Sequence, residues 1–334
     1  MRQLFASTLF VLLFAGCRTA PEAKLARFEF TEPHMGTLWH ITLHAPDAAI
    51  ASNAVRTAFA RVHTLDLLFT DYDPNSELLR LCTNRVGHAV PVSGELFDIL
   101  QKSERLSRQT EGAFDVTVGP LVQLWRRARR QRELPAPEKI VAARAAVGFE
   151  KMKLDPRRRT VTLLAPEMRL DLGGIAKGYA ADEALRVLQR NGISRALVAA
   201  SGDLAIGDAP PGQPGWRVEI ALPAAGTNRN VVLHLKNRGI STSGDAEQFV
   251  ELNGVRYSHI VDPRTGVGLT NRLQVTVLAD CATRSDALTK TICVLGTERG
   301  LKIIENDARL SALVVAAGKT SAMMLKSRRF PSVN

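Results

Sequence analysis

Acidic residues are in short supply. The 334-residue chain carries 44 lysines and arginines against 33 aspartates and glutamates, a formal net charge of +11. Such a balance suits an anionic partner: a phosphate-bearing ligand, a membrane surface or nucleic acid. Cysteine is scarcer, with four in all. Cys17, Cys82, Cys281 and Cys293 lie far apart and make neither a disulfide framework nor a zinc site. One disulfide among the last three stays open. The longest apolar stretch near the start, Leu4 to Leu13, is too short to span a bilayer. There is no internal repeat and no low-complexity segment. Neither familiar phosphate-binding spacing appears in the glycine-rich stretch Asp171 to Asp182, which has no G-x-x-x-x-G-K-[ST] and no G-x-G-x-x-G. Five arginines fall within Arg126 to Arg132, but no aromatics interleave them. The run reads as a solvated helix face, and nucleic acid is not an expected partner.

What is present describes an ordinary globular protein, 45% apolar and 23% charged, long enough for one large domain or two. Arg2 and the apolar run lead into Leu13-Phe14-Ala15-Gly16-Cys17, which resembles a bacterial lipoprotein signal. On that reading residues 1–17 are a signal whose Cys17 becomes a lipidated N-terminus. Residues 18–26 form a tether, and residues 27–330 fold. The mature protein is then exported and anchored to a bacterial cell membrane, facing the periplasm.

Hydrophobic spacing predicts strands at Arg27–Glu32 and Leu38–Leu43, joined through residues 33–37. Helices follow from Pro46-Asp47, over Gly94–Thr110 and over Leu121–Arg130. Mixed hairpins and helices without strict βαβ alternation indicate an α+β fold, with mixed sheets and packed helices. The stretch Asp171 to Asp182 organises the rest. Met168 to Leu172 alternates like a half-buried strand, and Ala180, Ala184, Leu185 and Leu188 recur at helical spacing. Gly173 and Gly174 therefore stand at a strand-to-helix turn, with Lys177 in the first helical turn. A helix N-terminus with a lysine beside it makes an anion cradle.

Asn253-Gly254 is a strong hairpin signal. Pairing outward from it sets Asp245 opposite Asp262 and Gln248 opposite His259. Carboxylates, an imidazole, Arg264 and hydroxyls then meet at the open end, where Asp245 and His259 are the candidate acid–base pair. Further on, Asp286 and Lys290 share a helical face, with Thr289 beside them.

Taken in order, Met35-Gly36-Thr37, Tyr72 to Ser76, Phe114 to Val122 with Leu124-Trp125, Asp171 to Asp182, Thr242 to Asp245, Ser258 to Gly266 and Ser285 to Leu288 resemble the FAD:protein FMN transferases, the ApbE family of flavin-handling bacterial lipoproteins. The resemblance implies an α+β fold with a ligand cleft between two halves. It also implies transfer of FMN from FAD to a Thr or Ser hydroxyl of an acceptor protein, with release of AMP. Met35, Tyr72, Ala113, Phe114, Asp115, Asp171, Lys177 and Val261 would contact FAD. Magnesium would take the Gly174 carbonyl and Asp286. The sequence departs from the family at Lys290, where a threonine ligand is usual; Thr289 is the nearest substitute. FAD hydrolysis to FMN and AMP, and flavin carriage without catalysis, are the competing readings.

Overall fold

The computed structural model describes residues 24–222, 230–244, 249–316 and 323–332. Strands β1 (Ala26–His34) and β2 (Thr37–Ala45) pair antiparallel around Met35-Gly36, both at positive φ. The connection is thus a two-residue turn, and Pro33 lies inside β1, where an edge strand tolerates it. Helices α1 (Ala48–Phe69), α2 (Glu77–Cys82) and α3 (Gly94–Gln109) follow, with Asp47, Ser76 and Ser93 each capping the next helix through a side-chain oxygen. Strand β3 (Ala89–Pro91) joins β4 (Met152–Asp155) and β5 (Thr160–Leu163) in a small sheet. Between them in sequence come α4 (Gly119–Gln131) and α5 (Pro137–Ala145).

The second half begins with α6 (Ala176–Arg190), β6 (Ala196–Ala200) and β7 (Asp203–Ile206). Strands β8 (Trp216–Ile220) and β9 (Val231–Leu235) pair by themselves, and β10 (Arg238–Gly244) returns to the main sheet. The hairpin β11 (Phe249–Leu252) and β12 (Val255–Ser258) has the expected register, Leu252 opposite Val255 and Phe249 opposite Ser258. Then come β13 (Leu273–Ala279), α7 (Ala282–Leu295), α8 (Thr297–Glu305), β14 (Ser311–Ala316) and β15 (Met323–Lys326). The main sheet runs β1-β2-β6-β7-β10-β13-β14-β15, with antiparallel pairing throughout.

Period-two alternation assigns the faces of this sheet. Ala196, Val198 and Ala200 of β6 face the core built on α1, α3 and α6, while Leu197 faces away. Val275, Val277 and Ala279 of β13 pack on α7 and α8. Leu278, Leu313 and Val315 project to the opposite side, against Trp216, Val218 and Leu233 of the β8–β9 pair. Helices therefore cover one face and the small hairpin part of the other. Among the described residues no helix is long and apolar enough to cross a membrane. Cys82, Cys281 and Cys293 are free thiols, so the disulfide left open by the sequence is not formed.

One expectation needs correction. Met168 to Leu172 is not a strand of a sheet. It makes a single parallel bridge, Arg169 to Val118, and the Asp171 amide donates to Val116 O at 2.8 Å. Its alternation is real, because Met168, Leu170 and Leu172 are buried, but no neighbouring strand runs alongside it.

Candidate active site

Helices α6 and α7 cross so closely that a Cβ on Gly178 would lie 2.3 Å from the Ala282 carbonyl oxygen. Each helix caps the other. Asp182 of α6 accepts the amides of Ala282 and Thr283 at 2.8 Å, at the start of α7. Asp286 of α7 accepts the Gly178 amide at 3.0 Å, in the first turn of α6. Unpaired amides at a helix start are costly to bury, and these carboxylates satisfy them. The Ala176 amide is likewise taken, by Leu172 O at 2.8 Å. The expected cradle of free helix amides at Gly173-Gly174 is accordingly reduced, and side chains take over its role.

Those side chains are cations. Lys177 pairs with the buried Asp203 at 2.8 Å, and the Lys290 ammonium pairs with Asp286 Oδ1. Burial opposes the charge on Lys290, but Asp286 and Asp203 outweigh it and hold the ammonium above its ordinary range. Burial would also raise Asp203, yet Lys290 and Lys177 pull it below the usual carboxylate range. Asp286 is pushed up, by burial first and by the Asp203 charge next.

Both lysines line a cavity of about 910 Å³. Its wall includes Met35, Tyr72, Ala113, Phe114, Asp115, Asp171, Gly174, Lys177, His259, Val261 and Lys290. Residues far apart in sequence, from both halves of the chain, thus meet around one space. Met35, at φ 48°, donates its amide to Asp66 at 2.8 Å. Asp115 has both carboxylate oxygens engaged, one by the Thr117 amide and hydroxyl and the other by the Phe149 amide. Burial pushes its carboxyl up. Asp171 accepts the Gly173 amide at 2.8 Å and the Arg126 guanidinium at 2.9 Å, and burial raises it too. His259 follows β12 directly, and Val261 is fixed by a bridge to Gly268. Asp245 and Gln248 lie outside the described residues.

Two expected site residues stand behind the wall. Asp286 is fully buried, and Thr289 turns its hydroxyl to Ser243 at 2.8 Å and to the Asp286 carbonyl at 2.7 Å. Other residues escaped the sequence reading. Arg126, in the run expected on a solvated face, instead bridges Asp71 and Asp171 and lies 4.8 Å over the Tyr72 ring. Arg129 also lines the cavity. A signal existed: Val118, Val122, Trp125, Arg126 and Arg129 fall on one face of α4 at helical spacing. Trp125 anchors that face, donating its indole N–H to Gly266 O at 2.9 Å. The β8 contribution of Val218, Glu219 and Ile220 carried no such signal.

A model of the ApbE family matches residues 35–314. The chain belongs to the ApbE family. It is 33% identical over 317 residues to the FAD:protein FMN transferase of Salmonella typhimurium, covering 92% of this chain and 90% of that protein. The Escherichia coli K12 protein of that name is 32% identical over 326 residues, covering 94% and 92%. The solved structure of the flavin transferase ApbE from Vibrio cholerae superposes with a TM-score of 0.82 at 30% identity, covering 91% of this chain and 98% of that one. The apo flavinyl transferase ApbE of Pseudomonas stutzeri gives 0.82 at 28% identity, covering 91% and 95%.

Against this ApbE background the metal position can be tested on its donors. Magnesium prefers about six oxygens in near-octahedral array. Here Asp286 already serves Gly178 and Lys290, the Thr289 hydroxyl is engaged by Ser243 and the Asp286 carbonyl, and an ammonium has no lone pair to give. A divalent ion about 4 Å from that ammonium would meet roughly 8 kcal/mol of repulsion at an effective dielectric of about 20. Among the described residues no cluster of three or more His, Cys, Asp or Glu side chains is placed to hold a metal ion. The residues present do not fit magnesium.

Proposed function

We propose that this chain transfers FMN from FAD to a Thr or Ser hydroxyl of an acceptor protein and releases AMP. The observation that carries the reading is one cavity that gathers Met35, Tyr72, Phe114, Asp171, Lys177, His259 and Val261 around a dinucleotide-sized space. Lys177 and Lys290 supply the positive charge that a pyrophosphate diester requires. Tyr72 and the apolar faces of Phe114 and Val261 offer surface to the flavin.

In the step itself the acceptor hydroxyl oxygen attacks the phosphorus on the FMN side. A new P–O bond forms, the P–O bond to AMP breaks, and AMP leaves with the bridging oxygen. The hydroxyl proton passes to a base, a role within reach of His259 at the cavity wall. Charge that develops on the departing phosphate is met by fixed cations that need no rearrangement. Magnesium enters no step of this reading, because Lys290 holds the carboxylate it would use. The protein would work outside the cytoplasm, tethered by a lipid on Cys17.

The decisive assay mixes the purified protein with FAD and candidate acceptor proteins. Flavin fluorescence that stays on the acceptor after denaturation, with AMP released in equal amount, supports transfer. Free FMN and AMP without labelled acceptor would replace transfer with hydrolysis, and unchanged bound FAD would leave only carriage.

A further inference from the structure

Two carboxylates and two ammonium groups meet behind and within the cavity wall. Lys177 and Lys290 line the cavity, whereas their partners Asp203 and Asp286 are buried behind it. The cations thus face the ligand space and their counter-charges do not. Lys290 also runs past the glycine turn, since a Cβ built on Gly174 would lie 3.6 Å from Lys290 Cγ. Its stem therefore packs on that turn, its ammonium rests on Asp286, and the residue lines the same cavity as Gly174. The Asp286 carboxylate is fixed in turn by the Gly178 amide of α6, so the pair cannot swing aside without uncapping that helix.

We infer that in this chain the Lys290 ammonium, seated on Asp286, is a built-in substitute for a divalent cation, so that FAD binding and FMN transfer proceed without a bound metal. The inference rests on the transfer reading above. A pyrophosphate diester carries two negative charges, and Lys177 and Lys290 answer them one for one. An ammonium offers three donors, so Lys290 remains on Asp286 while donating to a phosphate oxygen. No bond is made or broken at the lysine; it binds and stabilises charge only.

The test uses the full exported chain and three readouts. Manganese binding is followed by electron paramagnetic resonance with and without FAD. FAD affinity and FMN transfer are measured in EDTA and in excess Mg²⁺. The wild type is expected to bind no manganese tightly, and to hold FAD affinity and transfer within about twofold between the two conditions. Lys290→Thr should weaken FAD binding in EDTA about tenfold or more, as loss of a charge-assisted contact does, and should recover with Mg²⁺. It should also gain a manganese signal. Lys290→Arg keeps the charge and should keep EDTA-resistant binding. Stoichiometric manganese on the wild type, or collapse of its FAD affinity in EDTA, would overturn the inference. If no transfer occurs in either condition, the functional reading fails, and Lys290 is still judged on manganese and FAD affinity. Should Lys290→Thr not fold, the wild-type measurements alone decide.

Discussion

His259 lies at the cavity wall one position beyond β12, where the hairpin opens towards Ile260 and Val261. We propose that its imidazole takes the acceptor's proton. His259→Ala is expected to lower turnover roughly 10²- to 10⁴-fold, with FAD affinity changed by no more than about threefold. Separate measurement of turnover and FAD affinity checks this, and unchanged turnover in a folded variant would remove the imidazole from the chemistry. Asp307, far from the cavity, illustrates charge used for stability. It accepts the Arg309 amide and guanidinium and the Arg284 guanidinium. The hydrogen bond from Arg309 is the chief reason its carboxyl is held well below the usual range. A carboxyl depressed by folding stabilises the protein above its unfolded pKa, and that contribution is lost as pH falls through the folded value. Asp307→Asn should cost about 1 kcal/mol at neutral pH, discounted for partial exposure. The gap to wild type should close as pH drops below about 4. Urea melts across that range decide; a constant gap would mean that the charge is not the source.

At the scale of elements, the crossing of α6 and α7 carries the site. Gly178 sits where the helices touch, and an added Cβ would also lie 2.8 Å from Asp286 Cβ. Alanine is the better helix former by about 1 kcal/mol, yet here its methyl meets backbone that cannot yield. Overpacking of this kind costs about 1–3 kcal/mol, so the steric term wins. Gly178→Ala should therefore lower stability in thermal melts, and should loosen the Asp286 hold on the α6 amide. A variant more stable than wild type would show that the crossing has slack. The reciprocal caps explain the arrangement: Asp182 and Asp286 spend their charge on each other's helix starts, so the two helices register as a unit.

For the whole molecule, the membrane question turns on residues outside the described ones. Among its described residues the folded part contains no helix long and apolar enough to cross a membrane, and we propose that a lipid on Cys17 supplies membrane affinity. Cys17→Ser is expected to release a soluble exported protein, or to leave the signal uncleaved. Fractionation reads the result. A Cys17→Ser protein that is processed normally and still sediments wholly with membranes would show that the anchor lies elsewhere.

Local chemistry was enough for much of this. Asn253-Gly254 set the register of its hairpin, Asp47 opened α1, and the spacing from Ala180 to Leu188 marked α6. In each case the deciding interactions lie within a few residues along the chain. The motifs likewise pointed to one family and one ligand, because their order along the chain is itself information. What the sequence could not decide rests on partners distant in the chain. Strand β10, Arg-Gly-Ile-Ser-Thr-Ser-Gly, lacks alternation and is a strand because β7 and β13 pair with both its edges. Met168 to Leu172 alternates as a strand should, yet it gains only a single bridge, to Val118, and joins no sheet. Arg126 looked like one of five solvated arginines until Asp71 and Asp171 converged on it. Lys290 was legible as an anomaly, but its meaning depended on which way the side chain turned. The spacing within α7 puts Asp286 beside Lys290, but only the packing of α6 against α7 buried that carboxylate, and a buried charge goes where its counter-charge is.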